Sequence, residues 1–370
     1  MYSLKIFLLS VVVLGVSLSS LLQMSPVLAA RLGANYTEIG LLMGAARLAP
    51  YVAISPLAGL MLSRILGGRA VLLSSVSTLA ALTLSALATD LTWLTAAQVA
   101  VGVSMVFYFP VFEILLASEF KGVERMKAYS MFGAFSSIGF LIGSVASGGL
   151  AHYLGLPAMF SLVAVLVALT IPAMIRFKTG KLNTGVEKLD FREFFQQLMP
   201  ALFVTLPFYT VFGIVQNILP GYAALTGVSE LEIGLMFLGM WTTRILTSLS
   251  MGRRSTEASR RYFLASGLAL SVFLALSAYL PGRATMAALL LVTGSVISVV
   301  YILTLYMTST GSSHIQPTAI GVYEMIIGIA FLVGPPIAGA GADAFGVPSL
   351  FLGLAALSLV SGMAGTLMRR

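Results

Sequence analysis

The sequence predicts an all-α integral membrane protein of twelve transmembrane helices, arranged as two parallel six-helix halves. Three observations lead there. Of 370 residues, 58% are hydrophobic and only 9% are charged, whereas soluble domains carry roughly 25% charged residues. Apolar runs recur twelve times between short polar stretches, and each is close to the roughly 20 residues that a bilayer crossing needs. The second half of the chain also repeats features of the first at a nearly constant offset.

Runs at 5–29, 37–63, 70–89, 93–118, 128–151 and 156–175 predict the first six helices. The first follows Lys5, as a secretory signal would, but it exceeds the ~7–15 apolar residues of a signal core and is read as an uncleaved helix. A polar stretch at 176–193 contains Lys178, Lys181, Glu187, Lys188, Asp190 and Arg192. Six more runs follow at 195–222, 230–252, 261–280, 284–310, 316–341 and 347–368. The expected division is therefore 1–175, a cytoplasmic linker at 176–193, and 194–370.

With the N-terminus inside, 17 of the 21 Lys and Arg residues fall on the cytoplasmic side, with Arg31 and Arg283 outside and Arg47 and Arg244 within spans. Such a bias sets orientation, so both termini are expected in the cytoplasm of a prokaryotic cell. The net charge of +8 is then a topology signal, and no nucleic-acid partner is expected.

Residues 23–41 match 217–235 without gaps at eight of 19 positions, among them Pro26 with Pro220, Gly33 with Gly227 and Gly40 with Gly234. Residues 138–160 match 329–351 likewise, with Gly143, Gly148, Gly155 and Pro157 opposite Gly334, Gly339, Gly346 and Pro348. Offsets of 194 and 191 imply similar halves, and six helices per half make them parallel, an architecture known among transporters. Asn35 with Glu38 and Ser229 with Glu232 have capping-box spacing, so both glutamates read as caps of helices 2 and 8.

Other classes find no support. Zero Cys and two His leave no metal set or thiol chemistry, and no cofactor is expected. The Gly180-Lys181 pair lacks the rest of a phosphate-binding loop, and His152 and His314 are far apart, so an enzyme is not expected. A non-transporting sensor would normally carry a large soluble domain; a channel is the remaining rival.

Local motifs add a resemblance. Gly59-Leu-Met-Leu-Ser-Arg64-Ile-Leu-Gly67-Gly68-Arg69 resembles the loop between helices 2 and 3 of the major facilitator superfamily, with Ser63 where that family has Asp and one residue inserted before Gly67. Glu119, Lys121, Glu124, Arg125 and Lys127 are similar to the charged end of its helix 4, and Gly139, Gly143, Gly334, Pro335, Pro336 and Gly339 to its glycine-rich helices 5 and 11. The resemblance covers the whole chain. It implies a monomeric secondary transporter moving a small solute across the lipid bilayer by alternating access.

Four ionisable residues lie well inside spans: Arg47, Glu113, Arg244 and Glu324 in helices 2, 4, 8 and 11. A charge at the bilayer centre costs ~2.5–3.5 kcal/mol on insertion scales, so such residues mark pathways by default. Two acids and two bases can neutralise each other as gate ion pairs, or contact substrate, or carry a coupling proton. A pair of arginines on helices 2 and 8 resembles the anion site of nitrate and nitrite porters, although their glycine signature is not evident here. Tyr108 and Tyr301, 193 residues apart, fall in helices that line the family's cavity. Phe208, Tyr209, Gln216 and Asn217 of helix 7 are further candidates. The expected substrate is a small organic or inorganic anion facing Arg47 and Arg244, with protons as a candidate coupling ion. The alternative is an efflux antiporter for amphipathic drugs, which the 18 Met residues suit, flexible thioethers being adaptable linings.

Overall fold

The computed structural model describes residues 2–58, 67–175, 195–196, 198–199, 201–252, 259–310 and 316–367. Residues 59–66 of the loop motif and the linker at 176–193 lie outside these. The described chain forms twelve helical rods: α1 Tyr2–Arg31, α2 Tyr36–Leu57, α3 Gly67–Ala86, α4 Leu91–Glu119, α5 Gly122–Leu154, α6 Leu156–Ile175, α7 Leu202–Leu225, α8 Glu230–Met251, α9 Ser259–Tyr279, α10 Arg283–Thr308, α11 Gln316–Phe345 and α12 Val347–Leu367. Ten of them are long and apolar enough to cross a membrane, α6 and α8 being the exceptions. The face from which α1 starts is termed inner, following the expected orientation.

Burial explains why these helices stay together in a bilayer. α3, α6, α9 and α12 turn large apolar side chains outward, such as Val76, Leu169, Val272 and Val360, because lipid is an apolar solvent for them. Polar side chains point inward and satisfy one another, as hydrocarbon requires. Gln23 Nε2 donates to Ser19 and Ser144 between α1 and α5, Ser74 and Thr78 meet Ser104 between α3 and α4, and Ser248 meets Ser298 between α8 and α10.

Helix pairing repeats with an offset of six helices. α1 packs on α5, α2 on α4, α3 on α4 and on α6; likewise α7 packs on α11, α8 on α10, α9 on α10 and on α12. Between the two segments, α2 packs along α11 and α5 along α8, which are again corresponding pairs. The turn glycines shared by the repeat have a backbone reason. Gly33 and Gly227 have φ of 89° and 80°, and Gly155 and Gly346 have 85° and 79°, a region that glycine enters without strain. Both expected capping boxes form, at Asn35 with Glu38 and at Ser229 with Glu232.

Helix 2 changes geometry along its length: Leu41–Ala46 is a π turn, Arg47–Ile54 returns to α geometry, and Ser55–Leu57 tightens to 3-10. Pro50 has no N–H for the carbonyl of Ala46 four residues earlier, so the ladder widens there. Pro207 stands in the same relation to Phe203, inside the π turn Ala201–Thr205 that opens α7. Such widened turns recur at functional sites, and the one in α2 immediately precedes Arg47.

Candidate functional site

Between α1, α2, α4, α5, α7, α8, α10 and α11 lies a cavity of about 60 Å³. Its walls are mainly apolar and aromatic, from Leu22, Leu48, Met105, Phe109, Phe140, Phe212, Ile327 and Phe331. Arg47, Arg244, Glu324, Gln216, Tyr51, Tyr209, Tyr301 and Trp241 supply its polar atoms. A volume of this kind needs roughly 10–15 Å³ per water, so there is room for a few waters or a small solute.

Arg47 is wholly buried. Its backbone is pinned by α4: a Cβ on Gly102 would lie 1.8 Å from the Arg47 carbonyl oxygen. The guanidinium donates from Nε to Gln98 Oε1 at 2.8 Å and from Nη1 to Asn217 Oδ1 at 2.7 Å, with Nη2 on the Met43 sulfur. Asn217 spends its own amide N–H on the Gly213 carbonyl, which turns its oxygen toward the arginine. All three partners are neutral.

Arg244 sits seven residues from the inner end of α8. Its guanidinium carbon lies 5.3 Å from the Trp241 ring centre and 5.8 Å from that of Tyr301, an arrangement that favours a cation. Its Nε has no hydrogen-bond partner. The ion pairs among the described residues are Arg31 with Glu230 at 2.7 Å and Arg283 with Glu232 at 3.1 Å, both at the outer rim. No ion pair joins Arg47 or Arg244 to Glu113 or Glu324 among the described residues.

The two glutamates bind tyrosines instead. Tyr301 Oη donates to Glu113 Oε1 at 2.6 Å, and Tyr51 Oη donates to Glu324 Oε2. Both carboxyl groups are buried. A phenol reaches each carboxyl from the other segment of the chain, and no arginine has to move from the cavity to satisfy them.

Other expected residues divide. Tyr301 and Gln216 line the cavity, whereas Asn217 stands behind Arg47 and Glu113 behind Tyr301. Tyr108 does not reach it: its hydroxyl donates to the Val11 carbonyl at 3.1 Å and its ring packs among Phe109, Phe112 and Phe132. A helix-to-helix anchor is the role these contacts give it. Of the further helix 7 candidates, Tyr209 lines the cavity and Phe208 is buried outside its lining. Sequence reading missed Tyr51, Gln98 and Trp241. Tyr51 lies 193 residues before Arg244, so the repeat offset itself pointed to it.

Contacts join the segments on both sides of the cavity. On the outer side, Thr37 donates to Asp343 from both its N–H and its hydroxyl, at 2.8 and 2.6 Å. There a Cβ on Gly40 would lie 2.3 Å from the Pro335 carbonyl, on Gly339 2.1 Å from that of Tyr36, on Gly148 2.7 Å from that of Glu230, and on Gly234 2.5 Å from that of Ser144. On the inner side, Arg125 donates to the Ser309 carbonyl, and Gly321 faces the Ser55 carbonyl.

Comparison with known proteins adds to this geometry. The model of the Major Facilitator Superfamily matches residues 7–198 and 201–370. No curated protein matches the sequence. The crystal structure of the human organic anion transporter MFSD10 (TETRAN) superposes with a TM-score of 0.75 over 98% of this chain and 99% of that one, at 16% identity, a likeness of fold alone. Twelve helices among the described residues, ten of them apolar enough to cross a membrane, paired contacts repeating every six, a central cavity with buried charges and a family match over nearly the whole length make this chain a member of the major facilitator superfamily, a multi-pass membrane transporter.

Proposed function

We propose that the protein is a secondary transporter of a small organic anion, bound between Arg47 and Arg244 and moved by alternating access of residues 1–175 against 194–370. The observation that carries this reading is that both guanidinium groups line one apolar cavity without a carboxylate partner among the described residues. A buried charge costs several kcal/mol unless it is paired and hydrogen-bonded, and an anion in the cavity supplies that pairing. Aromatic walls favour an anion with an apolar body over a fully hydrated inorganic one. The superposed human structure is that of an organic anion transporter, which agrees in class. The lysine and arginine bias supports cytoplasmic termini.

The rival reading, efflux of amphipathic drugs, requires both arginines to be neutralised by Glu113 and Glu324. The tyrosine bonds of those carboxyl groups favour the anion instead. A thermal-shift screen of the purified protein against carboxylates, inorganic oxyanions, sugars and cationic drugs tests the choice. Carboxylates are expected to raise the melting temperature of the native chain and not that of Arg47→Gln or Arg244→Gln. Stabilisation by cationic drugs alone overturns the reading.

A further inference from the structure

Three residues that line the cavity each hold a buried polar atom with no hydrogen-bond partner among the described residues: Trp241 Nε1, Arg244 Nε and Glu324 Oε1. Buried donors and acceptors are paired in the great majority of folded proteins, so each unpaired one asks for an explanation. Two of the three are donors, and they are neighbours. Trp241 and Arg244 are three residues apart on α8, which puts them on one face of the helix, and the guanidinium carbon lies 5.3 Å from the indole ring centre. Phe140 packs on Trp241 with ring centres 4.6 Å apart, which holds the indole plane. The third atom is an acceptor from another helix. Glu324 of α11 accepts from Tyr51 at Oε2 and leaves Oε1 without a donor.

Two adjacent N–H donors, one of them charged, match the two oxygens of a carboxylate. A free oxygen of a glutamate matches a donor and repels another acceptor. The occupant therefore needs an anionic group and an O–H or N–H of its own, and the two must be close together, since the cavity measures only about 60 Å³. Charge decides between the two kinds of donor. Arg47 and Arg244 stand against Glu324 on the cavity wall, two formal cations against one anion, so a monocarboxylate brings the sum to zero. A hydroxyl leaves that balance in place, whereas an ammonium group adds a third cation. We propose that the substrate is a hydroxy monocarboxylate, its carboxylate bound by Arg244 Nε and Trp241 Nε1 and its hydroxyl donating to Glu324 Oε1. Its apolar body lies against Tyr209, Phe212 and Phe331, whose rings pack on one another. Oxyanions without a hydrogen offer Glu324 only acceptors, and dicarboxylates leave one negative charge in excess. The inference rests on the anion reading and makes Trp241 and Glu324 the residues that choose among anions.

The test compares acids of one shape on the purified full-length protein in detergent, with affinities measured by calorimetry. Propionate, lactate and alanine form one series, and 3-phenylpropionate, 3-phenyllactate and phenylalanine a second with a larger apolar body. In at least one series the better enantiomer of the hydroxy acid is expected to bind roughly 10-fold or more tightly than the unsubstituted acid, and more tightly than the amino acid. This comparison needs no variant, so it holds even if a substituted protein fails to fold. Glu324→Leu is expected to bring the ratio of hydroxy acid to unsubstituted acid down to about one. Trp241→Phe keeps a ring and removes the N–H, and is expected to weaken both acids by the same factor without altering their ratio. Hydroxy and unsubstituted acids that bind equally in both series, or an amino acid that binds more tightly than its hydroxy analogue in both, overturn the proposal and leave the anion reading in place. A hydroxyl preference that survives Glu324→Leu, or affinities that Trp241→Phe leaves unchanged, overturn it too. Absence of binding by all six acids overturns the anion reading and this inference with it.

Discussion

The outer seam and the inner cluster join the same two segments by different means. On the outer side, beside the Thr37–Asp343 and Arg31–Glu230 contacts, glycines pack against facing backbone in matched pairs. Gly40 against Pro335 corresponds to Gly234 against Ser144, and Gly339 against Tyr36 corresponds to Gly148 against Glu230, each at the repeat offsets. The inner cluster has no such counterpart. Tyr301 bonds Glu113, while its repeat partner Tyr108 bonds a backbone carbonyl. Arg244 corresponds in position to Tyr51, and Arg47 to Met240, since Gly102 abuts the Arg47 carbonyl as Gly294 abuts that of Met240. Where the segments agree they build turns and seams, and where they diverge they carry charge.

This contrast orders the consequences of mutation. The largest effect is expected on the divergent side. Arg47→Gln and Arg244→Gln each remove a charge-assisted hydrogen bond to the anion, of about 1.5–3 kcal/mol, so carboxylate affinity measured by calorimetry should fall roughly 10- to 100-fold. An affinity unchanged in both variants would move the site away from the arginines. Next comes the matched seam. Gly40→Leu and Gly234→Leu push a side chain into a backbone carbonyl of the facing helix, and both should raise outer-side labelling of a cysteine introduced at the cavity-lining Gln216 by similar factors. Opening by one variant alone would show that the seam is not symmetric in energy.

Smaller effects separate anchor from site. Tyr108→Phe removes one hydrogen bond to Val11 and is expected to cost about 1 kcal/mol of stability, seen as a lower melting temperature, with transport kept. Tyr301→Phe should do the reverse, altering transport and its pH dependence more than melting. The smallest expected difference is between the two caps. Asn35→Ala and Ser229→Ala should each cost about 1 kcal/mol, and melting temperatures that differ widely would show that the repeat-related helix starts are not equivalent.

Much of the fold was legible because a bilayer imposes long apolar runs, and loop glycines with φ near 80–90° survive in both halves as a visible repeat. The candidate site was only partly legible. Burial costs made Arg47, Arg244, Glu113 and Glu324 conspicuous, but which acid meets which base depends on side-chain reach across helices far apart in sequence. Opposite charges suggested ion pairs. The structure instead gives the carboxyl groups to Tyr51 and Tyr301 and leaves the guanidinium groups to amides, a thioether and aromatic rings. For Tyr51 the only signal was its repeat offset from Arg244, since a tyrosine in an apolar run otherwise reads as packing.

By itself, then, the sequence determined the class, the number of helices, the caps, the turn glycines and the set of buried charges, because each of these follows from local chemistry or from the solvent around a helix. Only the tertiary structure decided the partners of those charges, the break in α2 at Arg47 and the crossing of Glu113 and Glu324 between segments. Partnership in a close-packed interior is set by distance and by which donors remain unspent, and both arise only once twelve helices share one centre.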